Sequence, residues 1–196
     1  ACAPYRRLFL CDQHLSHMKA EKINNKHNLL LEVCLAAKHE GAAISADHGQ
    51  YHTDSSGSTI CTVLARSFAD IGDIIRGKDL FRGYDKKDRE QKKIQDNLKD
   101  IFKNIYEKLK DKEGAQKRYG SDENYFQLRE DWWALNREKV WEAITCNAGG
   151  GKYFRATCSS GKTAYVTQSK CQCINFSVPT YFDYVPQYLR WFEEWA

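Results

Sequence analysis

Residues 129–146 read REDWWALNREKVWEAITC and hold three of the chain's five tryptophans. Whether these rings form a ligand platform or the inside of a bundle decides the fold. At about 100° per residue, Trp133, Arg137, Val140, Trp141 and Ile144 share one helical face, and Trp132 widens it. Acidic and basic residues fill the other side. Proteins that stack nucleic-acid bases place rings on exposed sheets or loops, interleaved with basic residues. Here the rings keep apolar company at helical spacing, so they are read as core and nucleic acid is not an expected partner. Truncating a buried tryptophan costs about 3–5 kcal/mol, so this helix is expected to anchor the fold. Arg137 lies on the same face and requires a buried carboxylate from a neighbouring helix, because an unpaired buried charge is costly.

Working outward, Leu30, Cys34 and Ala37 place a helix over 26–39, ended by Gly41 before a Ser-, Gly- and Asp-rich loop. Ile60, Leu64, Phe68, Ile71 and Ile75 mark a helix over 59–76, with Ser58 as N-cap and Gly77 closing it. The longest helix spans roughly 87–111, on a stripe of Ile94, Leu98, Ile101, Phe102, Ile105 and Leu109. Residues 179–195, PTYFDYVPQYLRWFEEW, lead to a helix with Pro186 in its first turn and an aromatic face of Tyr188, Trp191, Phe192 and Trp195. The sequence stops inside that helix without a C-cap, which suggests a fragment of something longer. Residues 147–175 are rich in Gly, Ser and Thr and carry Lys152, Arg155, Lys162, Lys170 and three cysteines. That composition reads as a stapled loop or ragged hairpin. With no strand series and no repeats, the expected fold is mainly α: about five helices in a disulfide-bonded bundle with long irregular loops. Trp133, Trp141, Phe68 and Phe192 are its core candidates.

At 196 residues, 42% hydrophobic and 29% charged, the chain is globular rather than disordered. It holds no apolar run of about 18 residues, so nothing in it is expected to span a bilayer. Its start, ACAPYRRLFLC, lacks a charged n-region followed by an apolar h-region, so no signal peptide is read there. The eight cysteines are Cys2, Cys11, Cys34, Cys61, Cys146, Cys158, Cys171 and Cys173. An even count without a repeating CxxC pair favours disulfides and an oxidising compartment. The rival is zinc held by Cys11, His14 and His17 with Asp47, His48 and His52, but these spacings match no standard module and no metal is expected.

Residues 156–163, ATCSSGKT, approximate a P-loop with Lys162 as the phosphate lysine. That motif needs a buried strand before it and a helix after it, and neither GGGKYFR nor AYVTQSKCQC supplies one. There is no nucleophile elbow, HExxH or Rossmann fingerprint, so neither an enzyme nor a cofactor is expected. Asn175-Phe176-Ser177 is a glycosylation sequon only where the host cell uses one. The net charge of +4 concentrates between Asp85 and Arg118, where twelve Lys and Arg face eight Asp and Glu. Such a segment is either a polyanion-binding face or a solvated helix.

Five ordered blocks carry a resemblance: CAPYRRLFLC at 2–11, LLEVCLAAKHEG at 30–41, ARSFADIGDIIRGKDLF at 65–81, the quoted 129–146, and VPTYFDYVPQYLRWFEEWA at 178–196. Together they resemble a Duffy-binding-like domain of the alpha type, from the erythrocyte membrane protein 1 family of Plasmodium falciparum. The resemblance implies a non-catalytic adhesion module on the extracellular face of the infected erythrocyte, within a larger membrane-anchored multidomain antigen. It implies a loop-rich first subdomain over 1–58 without its N-terminal part, a helical-bundle second subdomain over 59–196, and no third subdomain. It places polymorphic stretches near 82–125 and 147–177, open to host receptors and to antibodies. Alpha-type members are linked to rosetting through heparan-sulfate-type glycans, blood-group sugars or complement receptor one.

On the same resemblance, Cys2 and Cys11 pair with upstream cysteines, Cys61 pairs with Cys146, and Cys34, Cys158, Cys171 and Cys173 make two further bonds of open connectivity. The expected glycan-binding residues are Lys86, Lys87, Arg89, Lys92 and Lys93 on the long helix, with Lys117 and Arg118. Arg6 and Arg7 are read as structural. The alternatives are a protein receptor engaged through 147–177, or a non-binding spacer that varies for immune evasion.

Overall fold

The computed structural model describes residues 2–23, 26–51, 60–83, 86–149, 152, 155–159 and 163–196. Two short helices, α1 (Tyr5–Leu8) and α2 (Gln13–Ser16), precede the long α3 (Lys26–Tyr51). Then come α4 (Ile60–Arg76), α5 (Lys86–Glu107), α6 (Ala115–Tyr119) and α7 (Phe126–Ile144). A 3-10 turn (Phe182–Tyr184) leads into α8 (Gln187–Trp195). Among the described residues there is no β-strand, only two isolated antiparallel bridges, Cys158 to Tyr165 and Ser169 to Gln172.

The tryptophans of 129–146 lie inside the bundle. Trp133 and Trp141 are 0% and 1% exposed, and Phe68 of α4 meets both rings at centroid distances of 5.1 and 5.2 Å. Trp132 packs edge-on against Phe102 of α5 at 6.2 Å. A buried indole N–H usually finds a partner. Trp133 Nε1 donates to Asp183 at 2.9 Å and Trp141 Nε1 to the Cys171 carbonyl at 3.0 Å. Arg137 finds its carboxylate in the same Asp183, at 2.7 and 2.8 Å, contributed by the 3-10 turn rather than a long helix.

Three expectations are corrected. The first is Gly41, which does not end α3; the helix runs on to Tyr51. A Cβ at position 41 would sit 1.9 Å from the Ile144 carbonyl oxygen, so this glycine lets α3 and α7 touch backbone to backbone. The second is Phe192, which is 74% exposed, while its neighbour Trp191 is 1% exposed. The buried positions of α8 are Gln187, Arg190 and Trp191, because the amide and guanidinium reach buried carboxylates of α4. Phe192 is thereby turned outward.

The third concerns the cysteines. Cys61 is bonded to Cys171, not to Cys146, and Cys158 is bonded to Cys173. Cys61 is fully buried, and the segment carrying Cys171 crosses Trp141 above it. Cys146 is an exposed free thiol just past the end of α7. Cys34 is free on the flank of α3, beside the Lys139 carbonyl at 3.7 Å. The Cys61–Cys171 bond joins residues 110 apart, a span for which chain entropy predicts about 4–5 kcal/mol of stabilisation.

Candidate functional site

The basic helix α5 has two unlike sides. Ile94, Leu98, Ile101, Phe102 and Ile105 are buried, while Lys92, Lys93, Lys99 and Lys103 are exposed. Amides along the edges seat the helix. Gln91 Nε2 donates to Asp12 at 2.7 Å, Gln95 Nε2 to the Ile74 carbonyl at 3.0 Å, and Asn97 Nδ2 to the Ser16 carbonyl at 3.2 Å. Docking thus uses apolar and amide groups and leaves the lysines facing water. Lys86, Lys87 and Arg89 fall in the first turn of α5, and their side chains lie outside the described residues.

The other expected basic pair divides. Lys117 on α6 is exposed. Arg118 forks onto Asp131 of α7 at 2.7 and 2.8 Å, and Tyr119 Oη donates to the same carboxylate at 2.7 Å. The hydrogen bond from Arg118, opposed by partial burial, holds the Asp131 carboxyl below the usual carboxylate range. Much of the Arg118 charge is therefore committed to tying α6 to α7.

Beneath this surface lies a buried charged frame. Asp70 of α4 is 0% exposed, lies 2.8 Å from Arg6 of α1 and 2.7 Å from Arg190 of α8, and accepts from Gln187 at 3.1 Å. Asp73, one turn on, faces Arg190 at 2.5 Å and Arg76 at 2.8 Å. Arg7 is 1% exposed and engages Asp79 and, at 3.1 Å, Asp12. Arg6 and Arg7 are thus parts of the interior. Burial opposes ionisation of Asp70, but Arg6 and Arg190 overcome it and hold the carboxyl low. For Asp73 burial wins over Arg190 and Arg76, and the carboxyl is pushed up to about 6.

Arg129, the first residue of the quoted stretch, passes without notice in the sequence. It is 3% exposed and donates to the Ile75 carbonyl at 2.6 Å, the Ile74 carbonyl at 3.1 Å and Gln95 at 2.7 Å. It therefore caps the C-terminal carbonyls of α4, where a cation is favoured. Burial without a carboxylate in contact lowers its pKa to about 10. The available signal is spacing, since Arg129 lies eight residues before Arg137 on the same helical face.

The described residues of 155–177 are irregular and stapled by the two disulfides. Ser159, Lys170, Cys171 and Phe176 have φ of 71, 52, 56 and 61°, the left-handed region that costs a non-glycine residue about 1–2 kcal/mol. Of the P-loop approximation, Ser160, Gly161 and Lys162 lie outside the described residues, and a bridge from Cys158 to Tyr165 stands where a helix would begin. Of the metal candidates, His14 Nε2 meets Glu32 at 2.6 Å and His17 Nδ1 meets the Gln13 carbonyl at 2.9 Å; His52 lies outside the described residues. Among the described residues no three metal-ligating side chains come together. Burial raises the thiols of Cys11 and Cys34 to about 11, so both stay protonated at neutral pH.

A family profile described as the Duffy binding domain matches residues 1–190. The chain is 44% identical to the NTS-DBL1α domain of PfEMP1 from the Plasmodium falciparum varO strain, with a TM-score of 0.78, over 100% of this chain and 43% of that one. A PfEMP1 DBLβ domain solved bound to ICAM-1 is 32% identical, with a TM-score of 0.71, over 100% of this chain and 44% of that one. The Duffy receptor of Plasmodium vivax (strain Salvador I) is 25% identical over 205 residues, covering 100% of this chain and 15% of the receptor. The chain thus spans less than half the length of each.

Proposed function

The chain belongs to the Duffy binding domain family, and from that premise we propose that it is a host-cell adhesion module of an infected-erythrocyte surface antigen, gripping heparan-sulfate-type glycans through the outer side of α5. On this reading residues 1–58 and 59–196 are parts of the first and second subdomains of the module. It is displayed outside the infected cell, where it serves rosetting or cytoadherence. Among the described residues no helix is long and apolar enough to cross a membrane, so anchoring falls to other parts of a larger protein.

The observation that carries the proposal is the division of labour on α5. Its apolar stripe and amides are spent on docking, and Lys92 and Lys93 stay exposed beside the basic first turn. A sulfated chain is a flexible polyanion, so its affinity comes largely from ion pairs and falls steeply with salt. Lys117 on α6 is a further exposed cation, and Arg118 contributes less because Asp131 holds it. The test is heparin-column elution of a variant carrying Lys86→Glu, Lys87→Glu, Lys92→Glu and Lys93→Glu. The expected result is elution at much lower salt. Unchanged elution would remove α5 as the site.

A further inference from the structure

From Ala143 to Phe182 the sequence holds Lys152, Arg155, Lys162 and Lys170 and no Asp or Glu at all. Unlike α5, where acids and bases alternate, this stretch is cationic without relief. Near its end two tight turns follow one another. Ser169–Gln172 is closed by Gln172 N–H donating to the Ser169 carbonyl at 3.1 Å, with Lys170 and Cys171 both left-handed at its centre. Two adjacent residues of positive φ make the tightest hairpin turn, a place where Asn and Gly normally sit. Cys173–Phe176 is closed by Phe176 N–H donating to the Cys173 carbonyl at 3.0 Å.

Each turn is riveted to the core. Cys171 is bonded to Cys61, and its carbonyl accepts from Trp141. Cys173 is bonded to Cys158, whose backbone exchanges hydrogen bonds of 3.1 and 3.0 Å with Tyr165. The second turn presents Ile174 and Phe176 at 63% and 65% exposure, although Val178, two residues on, is buried. Asn175 between them braces the turn, its Oδ1 accepting from Ser177 Oγ at 2.8 Å. Two large apolar side chains are thus held outward on a backbone that is strained and doubly cross-linked.

We propose that the paired turns 169–176 are a second docking surface, preorganised for a protein partner that offers an apolar pocket rimmed by carboxylates. Ile174 and Phe176 are the anchors, and the exposed Lys170 meets the rim. A rigid, pre-strained presentation lowers the ordering cost of fitting a shaped pocket. Neither a sulfated chain nor a lipid surface has a shape to match, and neither needs that rigidity. The surface is distinct from α5 and does not depend on the glycan reading.

The test is binding of fluorescent protein to human erythrocytes and endothelial cells, each untreated, heparinase-treated or trypsin-treated, and to vesicles of equimolar phosphatidylcholine and phosphatidylserine. The parent is expected to show a trypsin-sensitive, heparinase-resistant component. The double variant Ile174→Ser, Phe176→Ser should lose it by about tenfold or more, the scale of a hot-spot loss. Lys170→Glu should lose it by about threefold, and less at high salt. The α5 charge-reversal variant should keep it, which separates this proposal from the glycan one. Ile174 and Phe176 contribute little to the core, so the thermal midpoint should hold; Ile174→Ala alone provides a milder probe if it does not. The proposal is overturned if the double variant binds like the parent, if the parent shows no trypsin-sensitive binding to either cell, or if binding follows heparinase or the vesicles instead.

Discussion

Helices α4 and α5 carry the same kind of apolar stripe, yet one is sunk in the molecule and the other floats on it. Thirteen residues of α4 are buried, among them Asp70, Asp73 and Arg76. α5 buries its stripe and leaves its lysines in water. Periodicity tells which face of a helix turns to the core, but not what meets the opposite face. On α4 that face is met by Arg6 of α1 and by Gln187 and Arg190 of α8, as far as 120 residues away from Asp70 in sequence. On α5 it is met by solvent. Charged side chains are therefore interior wiring on one helix and water-facing surface on the other.

Asp70→Ala should damage the buried wiring of α4 most. It leaves Arg190 and Arg6 facing an uncompensated buried site, and removing one member of a buried ion pair costs about 3–5 kcal/mol. Urea unfolding of the variant should show that loss. A change below about 1 kcal/mol would mean that α4 is not sealed on its charged side.

Next in size is a pH effect at Asp73. Its carboxyl is pushed from 3.8 to about 6 by burial, against the pull of Arg190 and Arg76. The folded state therefore holds this proton more tightly than the unfolded chain does. The stability it contributes is complete below about pH 4 and is lost as pH rises through 6, at about 1.4 kcal/mol for each step of one in pH across that window. Asp70 acts the other way. Its lowered carboxyl contributes above the unfolded value near 3.8, and that contribution is lost as pH falls further. The two windows do not overlap, so unfolding measured between pH 4 and 6 separates Asp73 from Asp70. Asp73→Asn should flatten the profile there by about 2–3 kcal/mol.

Smaller again is Trp133→Phe. The ring keeps most of its contacts with Phe68, but the N–H to Asp183 is lost, leaving the carboxylate to Arg137 alone. The expected cost is about 1–2 kcal/mol, read as a lowered thermal midpoint.

Much of the bundle is legible in the sequence because its signals are local. Trp133 and Trp141 sit on one face of a single helix, and the stripe from Ile94 to Ile105 is unbroken, so both point to the core and are found there. Gly41 misleads because a glycine's stop signal and its role in close approach look identical in sequence, and only Ile144 across the contact decides between them. Phe192 misleads because α8 buries an arginine and a glutamine toward the carboxylates of α4, which reverses the usual assignment of aromatic faces to the interior. The partner of Cys61 depends on the path of the 155–177 segment over Trp141, and no spacing encodes that path. On the candidate surface, the exposed lysines of α5 are legible, but the commitment of Arg118 to Asp131 is not, since it depends on how α6 docks onto α7.

The smallest expected effect on stability is also the most telling. Lys92→Glu with Lys93→Glu changes two exposed side chains opposite a well-packed stripe, so unfolding free energy should move by no more than about 0.5 kcal/mol. The pair nonetheless removes two positive charges and adds two negative ones on the exposed side of α5, and heparin retention should fall sharply with them. Stability and retention should therefore separate on α5, whereas any charge change at Asp70 or Asp73 should move stability first. If the lysine pair destabilised the fold as Asp70→Ala does, α5 would be wired inward like α4. The exposed side of the helix would then have no freedom to vary its charge without unfolding the domain.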